Sequence, residues 1–373
     1  MKKLSLLSLP VLITLLVLAT AVPASARERN DQSQIEHGKY IATIAGCTSC
    51  HTPYKAEYND LASLDLEQIR TLAFNDLQAT DTTRLLAGGR PFNLGPAGVV
   101  FTKNITPHES TGIGLWTDDQ IITAMKTGKT VSGDILFPVM PYHVYNTMAD
   151  SDVLAVVAYL RSVDAVENMV PPSTISREGL QEIPMTSGRV APDNSDKAAR
   201  GAYLVNSVIG CSDCHTPIDP STGTPQMDKY LAGGQPYEGP WGIVYGGNIT
   251  PDEATGLGSW SEAEIRRALV SGVGKDGRRL ILMPWYAYAN LTAEDADAVA
   301  YYLKNGLEPV SNQVPAASLN PDFVVMVEKE IQPQETTSPL VTFMQQPIAL
   351  VVVGLLVIGL ISVIAFLLRK KSG

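Results

Sequence analysis

The sequence predicts an all-α protein: two tandem helical domains followed by a C-terminal transmembrane helix. Three observations carry this. One ordered set of short motifs occurs twice in the 373-residue chain. The segments between the motifs show helix-start signals and helical rather than alternating apolar spacing. Residues 347–368 hold no charged side chain.

The elements follow in order. Lys2 and Lys3 head a mostly apolar run from Leu4 to Val22, and "ASA" at 24–26 offers small residues to a signal peptidase, so residues 1–26 read as a signal peptide. The first domain is placed at 35–163. There "GKYIATIAGC" reads as a helix running into a cysteine motif, and "LDLEQIRTLAF" as a short helix within roughly twenty extra residues at 54–84. "TDDQIITAMKTG" opens with capping-box spacing, Thr117 to Gln120, sets Ile121, Ile122 and Met125 on one face and ends at glycine. A last helix near 150–162 carries Val153, Val156, Val157 and Leu160 at helical spacing. Residues 164–197, rich in Pro, Ser and Gly, read as a linker.

The second domain, 198–305, repeats the pattern: "GAYLVNSVIGC", then "SEAEIRRALVSG" with a Ser261–Glu264 box, then a helix near 293–304. A second linker at 306–346 leads to the transmembrane helix at 347–368, whose 22 residues match a hydrocarbon core of roughly 30 Å. Arg369, Lys370 and Lys371 in the tail at 369–373 place that end in the cytoplasm and the body of the chain outside it, on the periplasmic side. No run of alternating strands is visible.

The repeat is explicit. "LAGGRPF" (86–92) matches "LAGGQPY" (231–237), "NITP" (104–107) matches "NITP" (248–251), and "TGIGLW" (111–116) matches "TGLGSW" (255–260). "VMPYHVY" (139–145) matches "LMPWYAY" (282–288), and "VVAYL" (156–160) matches "VAYYL" (299–303). A unit of about 105–125 residues is a duplicated domain rather than a solenoid repeat.

Charge excludes one class of partner. Setting aside Lys2, Lys3 and the three tail cations leaves 23 of the 28 basic residues against all 38 acidic ones, about −15 for the exported part. Such a field disfavours nucleic acid and favours an electropositive partner.

All four cysteines lie in "GCTSCHTP" (46–53) and "GCSDCHTP" (210–217). Cys-x-x-Cys-His is the attachment signature of c-type haem. Two thiols three residues apart add to the vinyl groups of one porphyrin, and the adjacent histidine supplies the proximal nitrogen. A four-thiolate zinc site would draw its cysteine pairs from two domains and leave both histidines unused. A thioredoxin-like motif needs a βαβ setting that is absent. Haem attachment is therefore expected at Cys47, Cys50, Cys211 and Cys214, giving two covalently bound haem c groups with His51 and His215 as proximal iron ligands.

The duplication tests the sixth ligand. Met140 aligns with Met283, each before proline and an aromatic residue, whereas Met125 aligns with Leu269 and Met148 with Leu291. His143 aligns with Tyr286, His108 with Asp252, and His37 has no equivalent histidine. Met140 and Met283 are thus the expected axial metal ligands, a soft sulfur that raises the iron potential. Trp116 and Trp260 pack either on a porphyrin edge or simply in the core. Arg90, facing Gln235 in the alignment, is a candidate partner of one haem propionate.

These markers together resemble the cytochrome c subunits of membrane-bound bacterial alcohol, aldehyde and gluconate dehydrogenases, over 35–163 and 198–304. The resemblance implies class I cytochrome c domains and an electron conduit from a periplasmic dehydrogenase toward the quinone pool or an oxidase. Those subunits usually resemble three such units, and this chain has two.

The expectation is a dihaem cytochrome c anchored in the inner membrane. It carries single electrons between a periplasmic or membrane donor and a respiratory acceptor, with no catalytic residue of its own. Its partner is a redox protein or complex: a dehydrogenase, quinol-oxidising complex, oxidase or soluble carrier. The enzymatic alternative is a dihaem peroxidase or thiosulfate-oxidising cytochrome, for which one iron needs an open position.

Overall fold

The computed structural model describes residues 24–327. Most of the expected signal peptide, and the whole of the expected membrane helix at 347–368 and expected tail at 369–373, lie outside those residues. Among the described residues no helix is long and apolar enough to cross a membrane.

The described chain is largely helical. The first repeat comprises α1 (Ala24–Ile44), α2 (Leu66–Asn75), α3 (Asp118–Thr127) and α4 (Asp150–Ser162). The second comprises α5 (Lys197–Tyr203), α6 (Glu262–Ser271) and α7 (Ala293–Asn305). It has no helix matching α2. The capping boxes form as the sequence implies: Thr117 and Ser261 each accept the N3 backbone N–H, and Gln120 and Glu264 reach back. Gly128 and Gly272 then end the two helices in the left-handed conformation (φ 79° and 62°).

In each repeat the first and last helices cross at a glycine. A Cβ on Gly38 would lie 1.8 Å from the Ala155 carbonyl oxygen, and one on Gly201 would lie 2.1 Å from that of Ala298. The absence of a side chain lets α1 touch α4 and α5 touch α7 backbone to backbone. Val153, Val156, Val157 and Leu160 on α4 are buried, as the spacing implies, and one apolar core runs through both repeats, from Ile41 to Leu303. Each such aliphatic side chain contributes about 1.5–3 kcal/mol by leaving water. Met125 and Met148 lie in that core, as do their sequence counterparts Leu269 and Leu291 in the other repeat.

Two features differ from the sequence reading. Short hairpins exist: β1 (Pro91–Asn93) pairs with β2 (Val99–Phe101), and β3 (Pro236–Gly239) with β4 (Gly242–Tyr245). Strands of three or four residues are too short to display alternation. The segments expected as linkers also adhere closely. Thr174 N donates to Val99 O (2.9 Å), Asn146 Nδ2 to Pro184 O (2.9 Å) and Lys129 pairs with Glu182 (2.8 Å). Beyond α7, β5 (Ser318–Leu319) adds to β4, and Phe323 is buried.

The segment before the second cysteine motif holds one more residue than its counterpart, counting from Gly201 to Cys211 against Gly38 to Cys47. The structure takes this up as a π-helical turn at Leu204–Val208. A π turn is how a helix absorbs a single insertion without losing its register.

Candidate functional site

Each cysteine motif forms one helical turn behind a left-handed glycine, Gly46 (φ 84°) and Gly210 (φ 63°). His51 N bonds Cys47 O (2.9 Å) and His215 N bonds Cys211 O (3.0 Å). Residues i and i+3 of a turn share a face, so each turn brings its two thiols together and sets the histidine directly after them. All four cysteines are free. Among the described residues no three His, Cys, Asp or Glu side chains gather as a metal-binding group, so the four thiols do not meet at one zinc site.

The histidines are held alike. His51 Nδ1 donates to Lys103 O at 2.7 Å, and His215 Nδ1 to Gly247 O at 2.7 Å. With Nδ1 committed to a carbonyl, the ring keeps one tautomer and Nε2 alone is available to a metal. Burial lowers both imidazoles from their ordinary range, which keeps them neutral as a ligand must be. Burial also pushes the Cys47 and Cys211 thiols up to about 12.

The other markers build the wall behind each histidine. Thr52 and Thr216 accept the N–H of Leu86 and Leu231 (3.1 Å each), and both leucines are left-handed (φ 62° and 57°). Gly88 N then donates to His51 O, and Gly233 N to His215 O, at 2.6 Å. A Cβ on Gly88 would lie 2.4 Å from the Lys103 carbonyl carbon, and one on Gly233 2.4 Å from that of Gly247. The "AGG" motif therefore presses against the peptide that orients the imidazole. Asn104 and Asn248 of "NITP" donate to Val166 O and Val310 O (2.8 Å each). Asn168 and Asn312 return to the carbonyls of Ala87 and Ala232 (2.8 and 3.0 Å). These last asparagines were missed by sequence reading; the matched "VENMV" (166–170) and "VSNQV" (310–314) carry the signal.

Met140 and Met283 are half-buried against the core in matching turns, with Tyr142 N bonded to Met140 O and Trp285 N to Met283 O at 2.8 Å. Trp116 and Trp260 also pack on the core. The remaining histidines have other work. His37 bonds Asp152 (2.8 Å), His143 bonds Asp213 (2.8 Å), and His108 Nδ1 accepts from Thr111 N (3.2 Å) as Asp252 accepts from Thr255 N (2.7 Å). Arg90, the candidate propionate partner, is engaged within its own repeat. Its buried guanidinium donates to Thr52 O (3.1 Å), Asp76 (2.7 Å) and Thr80 (2.6 Å) and lies over the Tyr54 ring. It fastens the 54–84 insertion.

Two Cys-x-x-Cys-His turns, each with its imidazole oriented through Nδ1 on a helical repeat, define a protein of the c-type cytochrome class. Known proteins agree. The chain is 30% identical over 286 residues to the fructose dehydrogenase cytochrome subunit of Gluconobacter japonicus, covering 71% of this chain and 51% of that one. It is 28% identical over 320 residues to the gluconate 2-dehydrogenase cytochrome c subunit of Pantoea cypripedii, covering 79% and 64%. It is 26% identical over 284 residues to a diheme cytochrome c-type protein of Cereibacter sphaeroides, covering 73% and 85%. The chain is a homologue of these cytochrome c subunits. It spans about half to two thirds of the length of the dehydrogenase subunits. No protein-family model matches it.

Proposed function

We propose that the chain is a dihaem electron carrier, the cytochrome subunit of a dehydrogenase complex. Each repeat, 35–163 and 198–305, holds one haem c. Cys47 and Cys50 attach the first, ligated by His51 and Met140. Cys211 and Cys214 attach the second, ligated by His215 and Met283. A haem held by these residues would supply one-electron ferric/ferrous chemistry, and a thioether ligand would raise its potential. The chain's own part is to fix the ligands, keep the imidazoles neutral and seat the two sites next to each other. The observation that carries this reading is the pair of matched Nδ1–carbonyl bonds at 2.7 Å.

Proximity of the sites supports transfer between them. His143, beside the first Met-Pro turn, bonds Asp213 inside the second cysteine motif, and Trp285 beside the second turn bonds Phe74 O of the first repeat (2.8 Å). The donor in this reading is the catalytic subunit of a dehydrogenase and the acceptor a respiratory component, with the C-terminal segment at 347–368 as the anchor in the inner membrane.

The test is haem counting on the full chain matured in cells that attach haem c. Two haems per chain are expected, one in a Cys47→Ala/Cys50→Ala variant and one in a Cys211→Ala/Cys214→Ala variant. A single haem in the unaltered chain sinks the reading. Met140→Ala and Met283→Ala should each lower the potential of one haem, and an unmoved pair of potentials removes the methionines from the ligand set.

A further inference from the structure

Among the described residues three non-glycine residues are left-handed, and two of them, Leu86 and Leu231, are a matched pair. Leu282 (φ 64°) has no counterpart and directly precedes Met283. Its origin is a difference in loop length. Leu136 N bonds Gly128 O and Leu280 N bonds Gly272 O, both at 2.8 Å, so the two loops start from the same anchor. The first then runs through Phe137, Pro138 and Val139 to Met140, and the second through only Ile281 and Leu282 to Met283.

The loops are also held differently. Met140 N closes a local turn on Phe137 O (3.0 Å) within its own repeat. Leu282 N leaves its repeat and donates to Ala73 O (2.8 Å) on α2 of the first. The Trp285 indole donates to the next carbonyl, Phe74 O (2.8 Å), and the Phe74 ring packs against buried Phe323. Just beyond α2, Asp76 is fixed by Arg90. A left-handed leucine persists only where its surroundings over-determine it, and here those surroundings belong to the other repeat.

We propose that α2, the insertion peculiar to the first repeat, is a positioning element for Met283: the Ala73 and Phe74 carbonyls hold the shorter Met-Pro loop in the strained conformation that presents the thioether. This rests on Met283 being an iron ligand. Leu282 and Trp285 are then positioning residues, and the two irons are unequal by construction. The backbone entering the first methionine closes on its own repeat, whereas that entering the second is bonded to the neighbouring repeat; beyond the first turn, His143 bonds Asp213 across the contact.

The test uses the haem-loaded full chain. Ferric protein is titrated with imidazole, which competes with the thioether, while the sulfur-to-iron charge-transfer band and both potentials are followed. Met283→Ala marks the signals of the second haem. Trp285→Phe removes the indole donor while keeping an aromatic ring, and Phe74→Leu loosens α2 from within the first repeat. Trp285→Phe should let imidazole displace the methionine of the second haem at about fivefold lower concentration, the effect of one hydrogen bond, and Phe74→Leu should shift it in the same direction, with the first haem unchanged in both. Phe74→Leu keeps the question open to measurement if Trp285→Phe fails to fold. An unchanged constant at the second haem, or an equal shift at both haems, overturns the positioning role. If Met283→Ala itself leaves both bands intact, the ligand assignment fails first, and that outcome is distinct.

Discussion

Asp152 and Asp295 are the most consequential buried residues outside the cysteine motifs. Each carboxylate is 2% exposed. Asp152 accepts from His37 of its own repeat and from Tyr203 of the other (2.8 and 2.5 Å), while Asp295 accepts from Arg200 twice (2.7 Å each) and from Tyr40 of the other repeat (2.5 Å). His37 thus stands where the second repeat has arginine, and only one of the two clusters can titrate near neutrality. The bond to Asp152 raises His37 above the ordinary imidazole range despite burial, and burial opposes but does not prevent the lowering of Asp152 by His37 and Tyr203. A raised histidine gives stability that is full below its unfolded value and is lost as pH rises through the folded one. A lowered aspartate gives stability that is lost only as pH falls through its depressed value. Melting curves should therefore show the gap between the unaltered chain and His37→Gln narrowing from mildly acidic to alkaline solution. The gap for Arg200→Gln should stay constant over that range, since guanidinium does not titrate there. None of this was visible beforehand, because His37 and Asp152 are 115 positions apart and the sequence showed only a histidine without a twin.

The helices were the most legible elements, since their caps and apolar spacing are local. Thr117→Ala and Ser261→Ala each delete one half of a capping box and should cost about 1 kcal/mol in denaturant unfolding. Gly38 tests a stronger claim. Nothing local marked it, because its meaning lies in the helix crossing with Ala155. Gly38→Ala forces α1 from α4 and should cost about 3 kcal/mol, the upper end of overpacking penalties; a change within experimental error would show the crossing to be soft. The hairpins and the strap after each last helix were illegible for the opposite reason. Three-residue strands carry too little pattern, and the strap's hold depends on Asn168 and Asn312, whose carbonyl partners lie about 80 residues away. The candidate haem attachment motifs are legible because their chemistry is written in contiguous residues, Cys47 to Thr52 and Cys211 to Thr216. The Nδ1 carbonyls of Lys103 and Gly247 were hidden, since any residue can supply a carbonyl.

At the scale of the whole molecule, duplication has produced more than two copies on a string. Tyr40 reaches the aspartate of the second repeat and Tyr203 that of the first, so the exchange is reciprocal, as in an isologous contact between subunits. Two further bonds, which are not equivalents of each other, join the repeats: His143 with Asp213 and Trp285 with the Phe74 carbonyl. The described residues, 24–327, form one compact unit with a shared apolar core. Two independent domains would unfold in separate steps, whereas a shared core and crossed tyrosines couple them. Thermal unfolding of the haem-loaded chain should therefore give one transition, coincident by far-ultraviolet dichroism and by haem absorbance. Tyr40→Phe and Tyr203→Phe each remove a hydrogen bond to a buried carboxylate and should lower stability by about 1.5–3 kcal/mol while leaving that transition single. Two resolved transitions in the unaltered chain would show that the repeats fold separately and that the exchanged tyrosines decorate the contact rather than bind it.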